Sequence, residues 1–227
     1  MRRTARFMGG AQPLAATMNG AAFLGVDVDA ERIRRRVEQG YCDRMEADLD
    51  HALQLVVDAK TRGTPLSVGL VGNIADVVPE LVRRGITPDV VTDQTSAHDL
   101  RVGYIPVGYS LESAAVAREQ DPKGYEAAVL DSMCAHVEAM LTLKARGAIA
   151  FDYGNNLRGQ VADLRGMAGE GDVVLTIESN GKASLALPDG RWPAAIDMQS
   201  DRDDGGDDER GEQSCTFHAI ASATLLM

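Results

Sequence analysis

The chain has 227 residues, 44% hydrophobic and 25% charged, with a formal net charge of −11. That is the profile of a globular protein with room for one full α/β domain and a remainder. The negative balance excludes an extended nucleic-acid or anionic-membrane surface, since both need clustered Lys and Arg. No apolar run is long enough to span a bilayer, and Phe7 to Gly10 is no hydrophobic signal core, so a cytoplasmic protein is expected. Cys42, Cys134 and Cys215 show no paired spacing and read as reduced, unlinked thiols.

From Gly9 to about Arg158, short apolar runs alternate with amphipathic stretches, the pattern of a doubly wound parallel α/β sheet. Gln12 to Asn19 predicts a short helix and Ala22 to Val28 a strand that ends in acids. Met45, Leu49, Leu53 and Val56 recur at helical spacing, with Gly63 and Pro65 as the stop. Leu66 to Val71 predicts a buried strand. Ile74 to Arg84 predicts a helix, with arginines in its last turn and Gly85 beyond it. Val90 to Thr92 is a further strand, followed by a polar loop from Asp93 to Tyr109. Ser110 can cap the next helix. Asp121-Pro122 opens another, with Pro at the first helical position, where its missing N–H costs nothing. Its stripe of Val129, Met133, Val137, Met140 and Leu141 reads as core. Ala148 to Phe151 closes the alternation, with the polar cluster Asp152 to Asn156 at its carboxyl end.

Beyond Arg158 the pattern changes. Asp172 to Ile177 and Ala183 to Leu187 flank Asn180-Gly181, a hairpin signal. Asp201 to Glu212 holds seven acids and two arginines, and is expected to be disordered because nothing in it can be buried. Thr216 to Met227 is apolar again but has no recognisable partner element.

Three clusters carry chemistry. Met8-Gly9-Gly10 before a helix is a weak phosphate-loop signal, and a simple turn explains it as readily. Asp27 lies about twenty residues on, where a dinucleotide fold places the acid that binds a ribose hydroxyl pair; a solvated strand end is the alternative. The densest polar run, Thr92-Asp93-Gln94-Thr95-Ser96-Ala97-His98-Asp99, follows a strand, where open α/β sheets bind ligands. Phe151-Asp152-Tyr153-Gly154-Asn155-Asn156 forms a second cluster at a strand end. Two such clusters on one sheet edge favour a shared site. His51, His98, His136 and His218 lack paired ligand spacing, so no metal site is expected.

These blocks, from Met8 through Thr17, Thr92 to Asp99 and Phe151 to Asn156, resemble urocanase motifs in the family's order. Pro79-Glu80-Leu81-Val82 and Gly85-Ile86-Thr87-Pro88-Asp89 match as well. Urocanases are cytosolic homodimers of histidine degradation that add water to urocanate, with tightly bound NAD⁺ acting as an electrophile. The resemblance implies that Met8 and Gly9 face the pyrophosphate, that Asp27 holds a ribose, and that Arg32 lies in the adjoining helix. It implies that Asn73 and Ile74 line the nucleotide pocket. Gln94, Thr95, Ser96, Ala97, His98, Tyr104, Ile105 and Tyr153 would contact the cofactor. The expected organisation is therefore a Rossmann-like NAD-binding domain over residues 8–158, a segment 159–199 that bears the hairpin and matches no pattern of the preceding domain, and an acidic, disordered tail over 200–227. The family has a strand and a longer glycine loop before Gly9; without that strand a weakened sheet is expected, and Phe7, at a position normally glycine, is expected to hinder close backbone approach to phosphate. The family's catalytic cysteine motif and its core domain have no match, and none of the three cysteines is nominated as catalytic. The expected partners are NAD⁺, urocanate only if a core domain is supplied, and a second copy or a complementing chain. A non-enzymatic nucleotide-binding or interaction module is the alternative. A small dehydrogenase is disfavoured, because no acid–base pair with a separate substrate domain is evident.

Overall fold

The computed structural model describes residues 11–152, 155–157, 159–161, 174–177, 183–186 and 223–226. Met8, Gly9 and Tyr153, and the acidic stretch Asp201 to Glu212, lie outside the described residues.

The alternation predicted by the sequence is present. In chain order the elements are α1 (Gln12–Met18), β1 (Ala22–Asp27), α2 (Ala30–Glu38), β2 (Arg44–Glu46), α3 (Leu49–Arg62), β3 (Leu66–Val71), α4 (Ile74–Arg84) and β4 (Val90–Asp93). They continue with α5 (Leu111–Gln120), α6 (Pro122–Ala145), β5 (Ile149–Asp152), β6 (Val174–Ile177), β7 (Ala183–Ala186) and β8 (Ala223–Leu226). Side-chain caps set most of the helix starts. Asp29 accepts from Glu31 N, Asp48 from His51 N, Asn73 from Ala75 N and Asp121 from Gly124 N. Each satisfies one of the donors that a first helical turn leaves orphaned. Ser110 and Ser113 cap α5 reciprocally. α3 and α4 end at Gly63 and Gly85, both in the left-handed conformation that favours glycine.

Met45 was placed on the helix with Leu49, Leu53 and Val56, but it lies in the three-residue strand β2, and the helix begins only after Asp48. The apolar spacing continues back through Met45 by coincidence, while the Asp48 cap sets the true start.

Six strands form one sheet in the order β2-β3-β1-β8-β4-β5. β2, β3 and β1 run parallel to one another, as do β4 and β5. β8 runs antiparallel to both β1 and β4, so those two strands share a direction. The last stretch therefore does find a partner: its residues 223–226 fill the centre of the sheet. β6 and β7, the two runs flanking Asn180-Gly181, pair antiparallel as a separate ribbon, with Val174 opposite Ala186 and Ile177 opposite Ala183.

Both faces of the parallel strands are covered, which is why β1 is buried almost continuously rather than at alternate residues. The main core joins Leu24, Val26, Val68, Leu70 and Val91 to Leu53 and Val56 of α3, Val78 and Leu81 of α4, and Val129, Met133 and Leu143 of α6. On β3, a Cβ at Gly69 would stand 2.4 Å from Ile33 Cγ2. Glycine at that position lets α2 approach the sheet closely. The matched motif around Pro79 is structural here: Leu81 is fully buried and Glu80 is ion-paired with Arg83 and Arg84.

Candidate functional site

The carboxyl ends of β1, β3, β4 and β5 fall on one edge of the sheet, because these strands share a direction. Asp27 ends β1, Asp93 ends β4, and Asp152 is in register with Asp93. The expectation that the Asp93 to Tyr109 loop and the Asp152–Asn156 cluster share an edge is met by their described residues. With strands spaced about 4.8 Å apart, the ends of β1 and β4 lie roughly 10 Å from each other across β8.

At the β1 end, Asp27 is largely buried and accepts a 2.9 Å hydrogen bond from Asp29 N. Arg32 Nη1 lies 3.6 Å from Asp27 Oδ1, and Arg32 Nε lies 3.0 Å from Asp29 Oδ2. One guanidinium on α2 thus fixes both aspartates of the β1–α2 turn.

The β4 end is built differently. Asp93 is completely buried and accepts from Thr95 N at 3.1 Å, from Thr95 Oγ1 at 2.7 Å, and from Asn155 Nδ2. The Asn155 amide also donates to the Thr95 carbonyl at 2.7 Å. Burial pushes the Asp93 carboxyl from its ordinary 3.8 up to about 6, with the Asp152 charge a smaller contribution in the same direction; the Thr95 and Asn155 hydrogen bonds only partly offset it. Asn156, next to Asn155, takes a left-handed backbone with φ 69°, which Asn tolerates better than most residues. Asp93 and Asn155 were not singled out by sequence reasoning. Their signal was their membership of the two polar strand-end clusters, but nothing local pairs them.

The loop that follows is wound tightly on itself. Asp99 N donates to Ser96 O at 3.0 Å, and Gly103 N to Asp99 O at 2.9 Å. A Cβ at Gly103 would stand 1.9 Å from the Ser96 carbonyl oxygen, so only glycine fits there. Farther along, Asn73 Nδ2 donates to Ile105 O at 2.8 Å, Tyr125 Oη to Tyr104 O at 3.0 Å, and Val107 N to Ser132 Oγ at 3.0 Å. The loop is thereby tied to the start of α4 and to α6.

These contacts sort the predicted residues. Asn73, Ile74 and Ile105 come together at the α4 start, although the Asn73 side chain already serves as cap and loop tie. Gln94, Thr95, Ser96 and Ala97 form one continuous buried run after β4, while His98 is exposed. Thr92 Oγ1, Gln94 Oε1 and Ser96 Oγ are buried and have no hydrogen-bond partner among the described residues. Tyr104 turns into the core, 1% exposed, with its hydroxyl 3.3 Å from His136 Nδ1. Burial drives His136 down to about 3, so it is neutral. Among the described residues no group of three or more His, Cys, Asp or Glu could hold a metal ion. Nor is any described helix long and apolar enough to cross a membrane.

Residues 7–176 match the family model described as the urocanase Rossmann-like domain. The match begins one residue before Met8 and continues eighteen residues beyond the Arg158 boundary expected from the motifs.

Proposed function

The chain belongs to the urocanase family through its Rossmann-like domain, and from this and the geometry of the sheet edge we propose that it binds NAD⁺ there. The observation that carries the reading is the convergence of the Asp27 turn and the Gln94–Ala97 loop on one carboxyl edge, on either side of the point where the strand connections diverge. Open α/β sheets bind their ligands at such a point.

The chemistry of the residues fits the cofactor. Asp27 presents a carboxylate to a ribose hydroxyl pair, and Arg32 holds that carboxylate in orientation. Gln94 Oε1, Ser96 Oγ and Thr92 Oγ1 are acceptors that a ligand rich in hydroxyl and amide donors would satisfy. Leaving such groups buried and unpaired costs about 1–3 kcal/mol each. Asn73, Ile74 and Ile105 would border the nucleotide, and Met8 and Gly9 its pyrophosphate, as the resemblance implies. When bound, NAD⁺ in this family supplies an electrophilic nicotinamide. The work of this chain's residues is to bind and orient it. Asp93, Thr95 and Asn155 act behind the contact residues and hold the loop in one shape.

We further propose that residues 1–227 alone do not hydrate urocanate. Positioning of a substrate contributes about 7–11 kcal/mol of barrier reduction and general acid–base help about 10²–10⁴-fold in rate. In the resembled family both depend on a core domain that lies outside the matched one, so urocanate enters only where such a core domain is supplied. The test is the fall of urocanate ultraviolet absorbance with the pure chain and added NAD⁺. The expected result is background, with activity restored by a complementing chain. Steady turnover proportional to the amount of chain would overturn this part of the reading, and calorimetric titration showing no NAD⁺ binding would overturn the whole of it.

A further inference from the structure

β1 and β4 run in the same direction and are never paired to each other. Each has one parallel neighbour, β3 for β1 and β5 for β4, and each turns its other edge toward the same gap. That gap lies in the middle of the sheet, and with β8 seated in it Phe23, Leu24, Val26 and Val91 beside it are at most 2% exposed. Backbone N–H and C=O groups at such depth cannot be left to water, so a strand must fill the gap. β8 does so, with Leu225 opposite both Leu24 and Val91, and Thr224 opposite both Gly25 and Thr92.

Its polarity is the unusual feature. All five other strands of the sheet run one way, and β8 alone runs the other. Ala223 is opposite Val26 and Asp93, so the chain enters the gap from the carboxyl edge and Leu226 lies at the opposite end. In sequence, 36 residues lie between β7 and β8, and β8 is not the next step of the βα alternation that builds the other five strands.

We propose that the gap between β1 and β4 is a strand-binding slot, and that Ala223–Leu226 of the same chain is its resident ligand. The partner chemistry is that of the slot walls. The flanking residues Phe23, Leu24, Val26 and Val91 are apolar, the two rims are backbone ladders, and the segment paired there is a short uncharged strand, Ala-Thr-Leu-Leu. The two half-sheets, β2-β3-β1 and β4-β5, are then hydrogen-bonded into one sheet through β8. This inference is independent of NAD⁺ binding.

Hydrogen exchange on the full chain tests it. In the wild type, the amides of residues 223–226 should be protected together with those of 22–27 and 90–93. Leu225→Pro removes a backbone donor and forces a bend in a central strand, which such a strand does not tolerate. It should speed exchange in both 22–27 and 90–93 by tenfold or more, with Leu225→Val retaining protection. Residues 223–226 exchanging in the wild type as fast as an unstructured peptide would overturn the proposal, even if the proline variant fails to fold. So would a folded Leu225→Pro chain with β1 and β4 protected as before.

Discussion

Asp27 and Asp93 occupy the same place in the fold, the last residue of a parallel strand at one sheet edge, yet their surroundings are opposite. Asp27 has a cation beside it, the Arg32 guanidinium, which also bonds Asp29. Asp93 is enclosed by the neutral donors of Thr95 and Asn155 and feels the Asp152 charge, so its carboxyl is pushed up to about 6. A carboxylate held by a cation at the rim suits ligand binding. A fully buried one bonded to a backbone N–H, a hydroxyl and an amide suits fixing a loop. The difference shows that position at a strand end does not by itself assign a role, and that the groups touching the carboxylate do.

The contrast is sharpest in its pH dependence. Because the folded Asp93 holds its proton more tightly than the unfolded chain does, its contribution to stability is present below about 3.8 and is lost as pH rises toward about 6. The shift corresponds to about 3 kcal/mol. His136 works in the opposite sense, since it is kept neutral when folded, and its contribution is lost as pH falls from 6.5 toward about 3. Urea unfolding of the wild type and of Asp93→Asn, compared point by point between pH 4 and 6, isolates the first from the second. The wild type should lose stability relative to the variant as pH rises. Parallel pH profiles would mean that Asp93 is not enclosed as described.

Next in size is the latch. Asn155→Ala deprives Asp93 and the Thr95 carbonyl of a donor and should cost about 2 kcal/mol at pH 7, within the range for unsatisfied buried groups. A loss below about 0.5 kcal/mol, the scale of an ordinary surface change, would reduce the network to a passive contact. Asp27→Ala should destabilise the fold least, by about 1 kcal/mol, because Arg32 keeps its bond to Asp29. Its effect should fall on ligand affinity instead, with NAD⁺ binding weakened by about 1–3 kcal/mol. Equal affinity in the two chains would remove Asp27 from the site.

How much of this was legible in the sequence depended on how local the signal was. β3 and α4 have the bounds read from the sequence, Leu66–Val71 and Ile74–Arg84, since apolar runs, the Asn73 cap and Gly85 are all written within a few residues. Met45 misled because a three-residue strand is too short to show its own period. β8 was missed for a related reason. Four uncharged residues near the end of the chain, Ala-Thr-Leu-Leu, carry no mark of a gap whose walls lie about 130 and 200 residues earlier. The two polar loops were legible as clusters, but the bond between Asp93 and Asn155 spans 62 residues and no spacing rule reveals it. Tyr104 shows the opposite error of a residue whose setting looks polar. It stands in a polar loop, and the structure folds its ring inward toward His136.

The most direct measurement of the central claim is amide exchange of the full chain with and without saturating NAD⁺. Binding at the shared edge should slow exchange in two separate stretches at once, residues 27–32 after β1 and 94–97 after β4, and leave the outer end of α6 unchanged. Protection confined to one stretch, or appearing away from the carboxyl edge, would contradict a nucleotide site built from both.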